Sequence, residues 1–478
     1  MSNIAQLSAR ERITSLLDDN SFVEIGAFVS KRSTDFNLEQ KEIPGDGVIT
    51  GYGLIDDKPV YVYSQDSSSL GGSIGEMHAK KIAQVYDLAL KVGAPVIGLI
   101  DSTGMRLQEA TDALNGLGNI YQKQIMASGV IPQISAIFGN CGGGQAVMAS
   151  LSDFLFIEEK NARLFLQTPD SLQGNYKQKL DTSSADFNSK AGTVDYVGTT
   201  DAEVLNKIRE LISILPSNNE DDGYFTECND DLNRLVPDFA NELEDTKRAI
   251  IDISDNNYFF ETKSKYAKEM VTGFIRLNGA TVGAIANRTK ILDDSEKAIE
   301  EYDSTLSTDG CKKASAFVRF CDAFQIPILT LTNVSGYKAD VSEERTIAKA
   351  AAELTYAFAD ATVPKVNVVI GKAYGSAYIN MNSKHIGCDY VFALSDAEIG
   401  MMDANLAAQI IYDGESAEVI KEKASEYASL QSGALSAAKR GYVDNIIEPD
   451  MVRKHLIYAF EMLFTKTEAR PIRKHGSF

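Results

Sequence analysis

The sequence predicts an α/β layered fold built twice along one chain. Two observations predict it. First, motifs recur at a fixed offset: Pro132 and Pro364, Gly139 and Gly371, and Gly143 and Gly375 are each 232 residues apart. Second, short apolar runs alternate with stretches of period 3.6, the pattern of a largely parallel sheet covered by helices. The same offset joins Pro95 to Pro327, Asp101 to Asn333 and Gly104 to Gly336. Upstream it becomes 222, where TGYGLIDDKPV (50–60) resembles TGFIRLNGATV (272–282). The difference places an insertion in the second half, within the acidic stretch 291–310. A period this long is not that of a solenoid. Two domains of one fold are expected, 1–235 and 236–478, joined through the polar segment 217–245.

Each half then reads in the same order. A short helix (ARERITSLLDD; DTKRAIIDIS) precedes paired strands. A helix of period 3.6 follows (AKKIAQVYDLALKVG; CKKASAFVRFCDAF), then an apolar strand (PVIGLID; PILTLTN), a loop and another helix. A strand running into glycine comes next (IPQISAIFG; VPKVNVVIG), and a last strand (FLFIEE; YVFALS) ends each core. The basic tail EARPIRKHGSF reads as a surface arm.

Composition excludes several classes. The chain has 478 residues, 44% hydrophobic and 24% charged, as in a globular protein. A net charge of −20 disfavours nucleic-acid binding. No apolar run is long enough to span a membrane, and the start MSNIAQLSARERI lacks the apolar core of a signal peptide. Cys141, Cys228, Cys311, Cys321 and Cys388 are scattered, without a CxxC pair, which suits a reducing cytoplasm. His78, His385, His455 and His475 show no metal-ligand spacing, so no metal is expected.

The glycine stretches admit three readings. GNCGGG (139–144) fits neither a dinucleotide fingerprint nor a P-loop. GGSIG (71–75) satisfies G-x-S-x-G with Ser73 central, but the polar SQDSSSL before it is no strand, as a nucleophile elbow requires. That makes Gly72 and Ser73 a substrate-facing loop rather than a nucleophile. The third reading is an oxyanion hole: a strand ends, glycine permits unusual φ, and the next helix presents free N–H groups. The plain alternative is tight helix–strand packing at Gly143 and Gly375. It explains less well why both copies place glycine at the same step.

GSIGEMHAKKI, KVGAPVIGLIDSTGMRLQEA, MASGVIPQISAIFGNCGGG, LNRLVPD, FVRFCDAFQIPIL, YAFADATVPK and KAYGSAYINMNSKH together resemble the biotin-dependent acyl-CoA carboxyltransferases. These include propionyl-CoA carboxylase β subunits and methylmalonyl-CoA decarboxylase α subunits. The resemblance runs over nearly the whole chain. It implies two tandem crotonase-like (ClpP/crotonase) domains, an N-terminal one for the acyl-CoA and a C-terminal one for biotin, with active sites built by dimers within a hexamer. It implies carboxyl transfer between carboxybiotin and an acyl-CoA-type substrate through an enolate, and hence two oxyanion holes. The family's G-P-C-A-G-G falls on Gly139–Gly144, giving N–H donors at Gly143 and Gly144 with Gly142 beside them. Its K-A-Y-G-G-A-Y falls on Lys372–Tyr378, giving donors at Ser376 and Ala377 beside Tyr374, Gly375 and Ile379. Gly104 and Gly336 occupy the facing loops. No A-M-K attachment motif and no ATP-binding carboxylase domain is present. Biotin is therefore expected in trans, on a biotin carrier protein, with a biotin carboxylase or membrane decarboxylase subunits as partners. The expected location is the cytoplasm, or the face of a membrane decarboxylase complex.

The pattern departs from the family near the chemistry. Ser376 replaces a glycine, and Gly371 an arginine. D-S-G-G-A-R is here Asp101–Arg106 with Thr103 and Met105, and P-G-F-L-P-G is Ser335–Asp340 with Tyr337 in place of phenylalanine. The segment DTSSADFNSKAGTVD (181–195) lacks the usual glycine pair and both histidines. Ile379 stands where aspartate is frequent, as in the decarboxylase subunits. Three functions stay open on the sequence: an active carboxyltransferase, a crotonase-type CoA enzyme independent of biotin, and a non-catalytic assembly subunit.

Overall fold

The computed structural model describes residues 6–32, 44–221, 225 and 227–471. The last seven residues of the basic tail, with His475, lie outside them. The chain divides into two compact units, Met1–Asp222 and Gly223–Phe478. This division falls earlier than the expected 235/236 boundary, because Leu232 packs with Val236 and Phe239 on the second core.

In the first unit helix α1 (Ala9–Leu16) opens on a capping box between Ser8 and Glu11. Seven strands lie side by side in chain order: β1 (Val23–Ile25), β2 (Val48–Ile55), β3 (Lys58–Gln65), β4 (Val96–Ile100), β5 (Gln133–Ile137), β6 (Phe154–Glu158) and β7 (Tyr196–Gly198). β1, β2 and β3 are antiparallel, and every later pairing is parallel. The β2–β3 turn is Asp56–Asp57, both at positive φ (48° and 64°), which matches the twist of a two-residue hairpin. Helices α2 (Glu76–Val92) and α3 (Ala110–Ala127) pack their apolar faces against the sheet, through Ile82, Val85, Tyr86 and Ile120. The short α4 (Gly144–Ser150) follows β5.

The second unit repeats this with β8 (Phe260–Glu261), β9 (Met270–Leu277), β10 (Ala280–Asn287), β11 (Ile328–Val334), β12 (Lys365–Tyr374), β13 (Tyr390–Leu394) and β14 (Asn445–Ile447). Its helices α5 (Thr246–Ile253), α6 (Thr308–Ala323), α7 (Ile347–Asp360) and α8 (Gly375–Asn380) match α1 to α4 in place. The fold is thus α/β, two tandem crotonase-like units related by duplication. Twenty residues separate β10 from α6, against ten between β3 and α2. The extra ten accommodate an added hairpin, Lys290–Leu292 paired with Ala298–Glu301.

The duplication reaches single hydrogen bonds. The Asp153 carboxylate accepts the Gln133 N–H (2.8 Å), and Asp389 accepts that of Lys365 (2.8 Å). Asp195 accepts the Leu155 N–H (2.9 Å), and Asp444 that of Val391 (2.7 Å). Lys81 and Lys313, 232 apart, each bury an amine on backbone carbonyls: Gly45 for one (3.0 Å), Lys263 and Tyr266 for the other (3.0 and 2.8 Å). Burial pushes these amines down, to about 8 and about 7. Each core carries two strands more than the sequence pattern indicated, β1 and β7 at the edges of the first sheet and β8 and β14 at those of the second. FLFIEE and YVFALS do not end the sheets; the three-residue β7 and β14 do.

Candidate active site

The two glycine-bearing junctions share a positive φ at the same step. Where β5 hands over to α4, Gly143 takes φ +60°, and where β12 hands over to α8, Gly375 takes φ +58°. An L-residue resists this region, so glycine is required at both. Gly144 and Ser376, the next residues, have no such constraint. Serine at 376 is therefore compatible with the turn.

The glycines at 139 and 371 have a different task. A methyl group on Gly139 would lie 2.0 Å from Asp101 Oδ1, and one on Gly371 would lie 2.7 Å from Asn333 Oδ1. Both admit a polar side chain from the neighbouring strand end. Around Gly104 and Gly143 in the first unit, and Gly336 in the second, no atom of the described residues lies within 4 Å of where a side chain would emerge. Each junction thus faces open space across the loop that follows β4 or β11. At Gly375 the Met401 carbonyl stands 3.1 Å from that point.

The loop and helix of each junction are tied by a side chain. In the first unit Gln145 Nε2 donates to Ser102 Oγ (2.8 Å), and the Ser102 N–H donates to the Asn140 carbonyl (2.9 Å). Tyr121 donates its hydroxyl to the Gly144 carbonyl. In the second unit Tyr337 donates to Ser376 Oγ (3.2 Å) and accepts from Asn380 Nδ2 (2.8 Å). The opening turn of a helix has no intrahelical acceptor for its N–H groups, which leaves Gly144 and Ser376 as donors. The Gly143 N–H is not among them. It donates to the Phe165 carbonyl at 2.9 Å, which corrects the expectation of a free donor there. Ala377, the other expected donor, is buried.

Gly72 and Ser73 belong to a buried ionic cluster. Gly72 takes φ +63° against the Asp101 carbonyl. Ser73 Oγ accepts from Arg106 Nε (3.2 Å), and its carbonyl accepts from the same guanidinium (2.9 Å). Arg106 pairs with Asp46 and with Glu109, each at 2.7 Å, and Glu109 in turn accepts the Glu76 N–H that opens α2 (2.6 Å). Burial raises the Asp46 carboxyl, and Arg106 opposes the rise. Among the described residues the Ser73 hydroxyl bonds to Arg106 and to no histidine or carboxylate. His78 is fully buried, donates Nδ1–H to the Asp46 carbonyl (2.9 Å), and is pushed down to about 3 by burial. Ser73 is thus a hydrogen-bond acceptor inside the fold. Sequence reasoning missed the Arg106 cluster, whose members lie far apart along the chain. In the second unit Glu343 caps α6 in the manner of Glu109, accepting the Thr308 N–H at 2.7 Å.

The remaining predicted residues flank the junctions. Gly142 packs flat on the Phe165 ring. Tyr374 hydrogen-bonds to the Glu398 carboxylate, and its phenol is raised by burial and by that carboxylate. Ile379 is half-buried on α8. The divergent segment 181–195 forms a short helix, Ala185–Lys190, capped by Ser184, and Asn188 Nδ2 donates to the Leu164 carbonyl (3.1 Å). Among the described residues no cluster of His, Cys, Asp and Glu could hold a metal, and no helix is long and apolar enough to cross a membrane.

Residues 4–478 match the family described as the carboxyl transferase domain. The chain is 40% identical to the propionyl-CoA carboxylase beta chain of Roseobacter denitrificans, over 99% of its own length and 93% of that protein. It is 39% identical to the methylmalonyl-CoA decarboxylase subunit alpha of Propionigenium modestum, with the same coverage. Among solved structures it resembles the transcarboxylase 12S hexamer with hydrolysed methylmalonyl-coenzyme A bound. The TM-score is 0.91 at 35% identity, covering 99% of this chain and 93% of that one.

Proposed function

The chain belongs to the carboxyl transferase family of enzymes, and from that premise we propose that it moves a carboxyl group between biotin on a separate carrier protein and an acyl-CoA-type thioester. The observation that supports this most is the paired junction: Gly143 and Gly375 at equal φ, each opening a helix towards a loop with free space. Losing or gaining a carboxyl group leaves negative charge on the thioester oxygen, as an enolate. A fixed N–H aimed at that oxygen stabilises it without reorganisation, by about 3 kcal/mol for one donor. In the first unit Gly144 supplies it, and Gln145, anchored on Ser102, fixes its direction.

The second unit fits the biotin end, since Gly336 leaves space and the exposed Ser376 offers an N–H donor. Biotin supplies the acceptor and donor of the carboxyl group. This chain's part is to hold the ureido end, exclude water and stabilise the charge. The acyl-CoA belongs to the first unit. The working form is a homo-hexamer with dimer-built sites, partnered by the carrier and by carboxylase or membrane decarboxylase subunits. The transcarboxylase 12S structures, hexamers with methylmalonyl-coenzyme A bound, favour the same substrate class and assembly here.

The commitment of the Gly143 N–H to Phe165 favours a second reading, a non-catalytic assembly subunit. One experiment separates them. Purified protein is mixed with malonyl-, methylmalonyl- and glutaconyl-CoA, with and without free biotin, and carboxylate loss is followed by mass spectrometry. Biotin-dependent loss from one thioester supports the enzyme and names its substrate. Inertness towards all three favours the assembly subunit.

A further inference from the structure

At the second junction two departures from the family pattern touch each other. Tyr337 stands where the family has phenylalanine, and Ser376 where it has glycine. Each departure adds one hydroxyl, and the two hydroxyls are hydrogen-bonded at 3.2 Å. Asn380 Nδ2 donates to Tyr337 Oη (2.8 Å). Tyr337 accepts there and has one hydrogen, which goes to Ser376 Oγ. Ser376 Oγ therefore accepts inside the protein. Its own hydrogen has no acceptor among the described residues, and the side chain is exposed. Bonds aligned head to tail polarise one another, which strengthens the terminal donor.

We propose that Tyr337 is a positioning residue for the carrier-side site, holding the Ser376 hydroxyl as a donor to the ligand oxygen beside the Ser376 N–H. The inference rests on the functional reading above and assigns a further donor to it. The first unit does the same tying with other residues. At the positions matching Tyr337 and Ser376 it has Met105 and Gly144, and Gln145 bonds to Ser102 instead. The added hydroxyl is thus peculiar to the second junction. No proton is transferred in this role; the hydroxyl donates a hydrogen bond and keeps its hydrogen.

A double-mutant cycle tests it on the full-length protein, with Y337F, S376G and the double variant, which restores the family's residues at both positions. Three quantities are read: kcat and KM for biotin-dependent carboxyl loss from the active thioester, calorimetric binding of free biotin without thioester, and the melting temperature. A neutral hydrogen bond sets the scale, so Y337F and S376G should each lower kcat roughly fivefold. They should weaken biotin binding by a similar factor and leave KM for the thioester unchanged. The double variant should be no worse than S376G. Losses that multiply overturn the coupling. Coupling seen in melting temperature alone, without change in kcat or biotin binding, overturns the role at the ligand and leaves a structural tie. A wild type that neither binds biotin nor loses carboxylate overturns the functional reading, and this role with it. The melting cycle separates that failure from an absent Tyr337–Ser376 bond.

Discussion

Gly143 and Gly375 take nearly the same φ, +60° and +58°, at the same strand-to-helix step, 232 residues apart. A side chain at either would be strained by about 1–3 kcal/mol. At 375 it would also press on the Met401 carbonyl, 3.1 Å away. G143A and G375A should each fold and each lose carboxyl transfer by roughly a hundredfold, the scale of one misplaced oxyanion donor. Steady-state kinetics checks this. Activity within twofold of wild type for both would mean that the junctions serve packing alone.

Ser73 lies in a G-x-S-x-G match yet accepts both of its side-chain and backbone bonds from Arg106. S73A should retain carboxyl transfer within a few-fold and lose stability by about 1.5–3 kcal/mol, the scale for a hydrogen bond to a charged group. Denaturant titration and kinetics on one preparation separate the two. A loss of activity of several thousandfold with stability intact would restore Ser73 as a nucleophile.

Arg106 balances Asp46 and Glu109 in a dry site, each at 2.7 Å. R106L should remove about 3–5 kcal/mol, because it leaves two buried carboxylates without their cation. Urea unfolding of R106L gives the number directly. A loss under about 1 kcal/mol would mean that water already reaches the cluster.

His78 is neutral in the fold, its pKa pushed down to about 3 by burial from an ordinary 6.5. Above pH 6.5 neither the folded nor the unfolded chain protonates it, so it has no effect. Below 6.5 the unfolded chain takes up a proton that the folded one refuses. Stability should then fall with pH between 6.5 and 3, by at most about 1.4 kcal/mol per pH unit from this residue. Melting curves across that window should be flatter for H78Q. An equal acid slope in H78Q would assign the lability to other groups.

Much of this was legible in the sequence, for local reasons. Apolar periodicity marked β4, β5, β11, β12 and the long helices, and glycine recurred at the same strand-to-helix step of both halves, so Gly143 and Gly375 stood out. The insertion appeared as a change of offset and is the hairpin Lys290–Leu292 with Ala298–Glu301. What was hidden depends on distant partners. β7 and β14 are three residues long and carry no period; aspartates 195 and 444 set their entry. α6 begins at Thr308, ahead of the apolar pattern, because Ser307 and Glu343 cap it. The engagement of the Gly143 N–H depends on Phe165, and no motif records that contact.

The central claim is that the two junctions serve one transfer between a thioester and biotin. Methylmalonyl-CoA labelled with ¹³C in its free carboxylate, incubated with the wild-type protein with and without free biotin, tests it most directly. The account predicts that labelled CO₂ is released with biotin present and not without it, and that G143A and G375A each suppress the release. Release at the same rate without biotin, or release untouched by G375A, would contradict it.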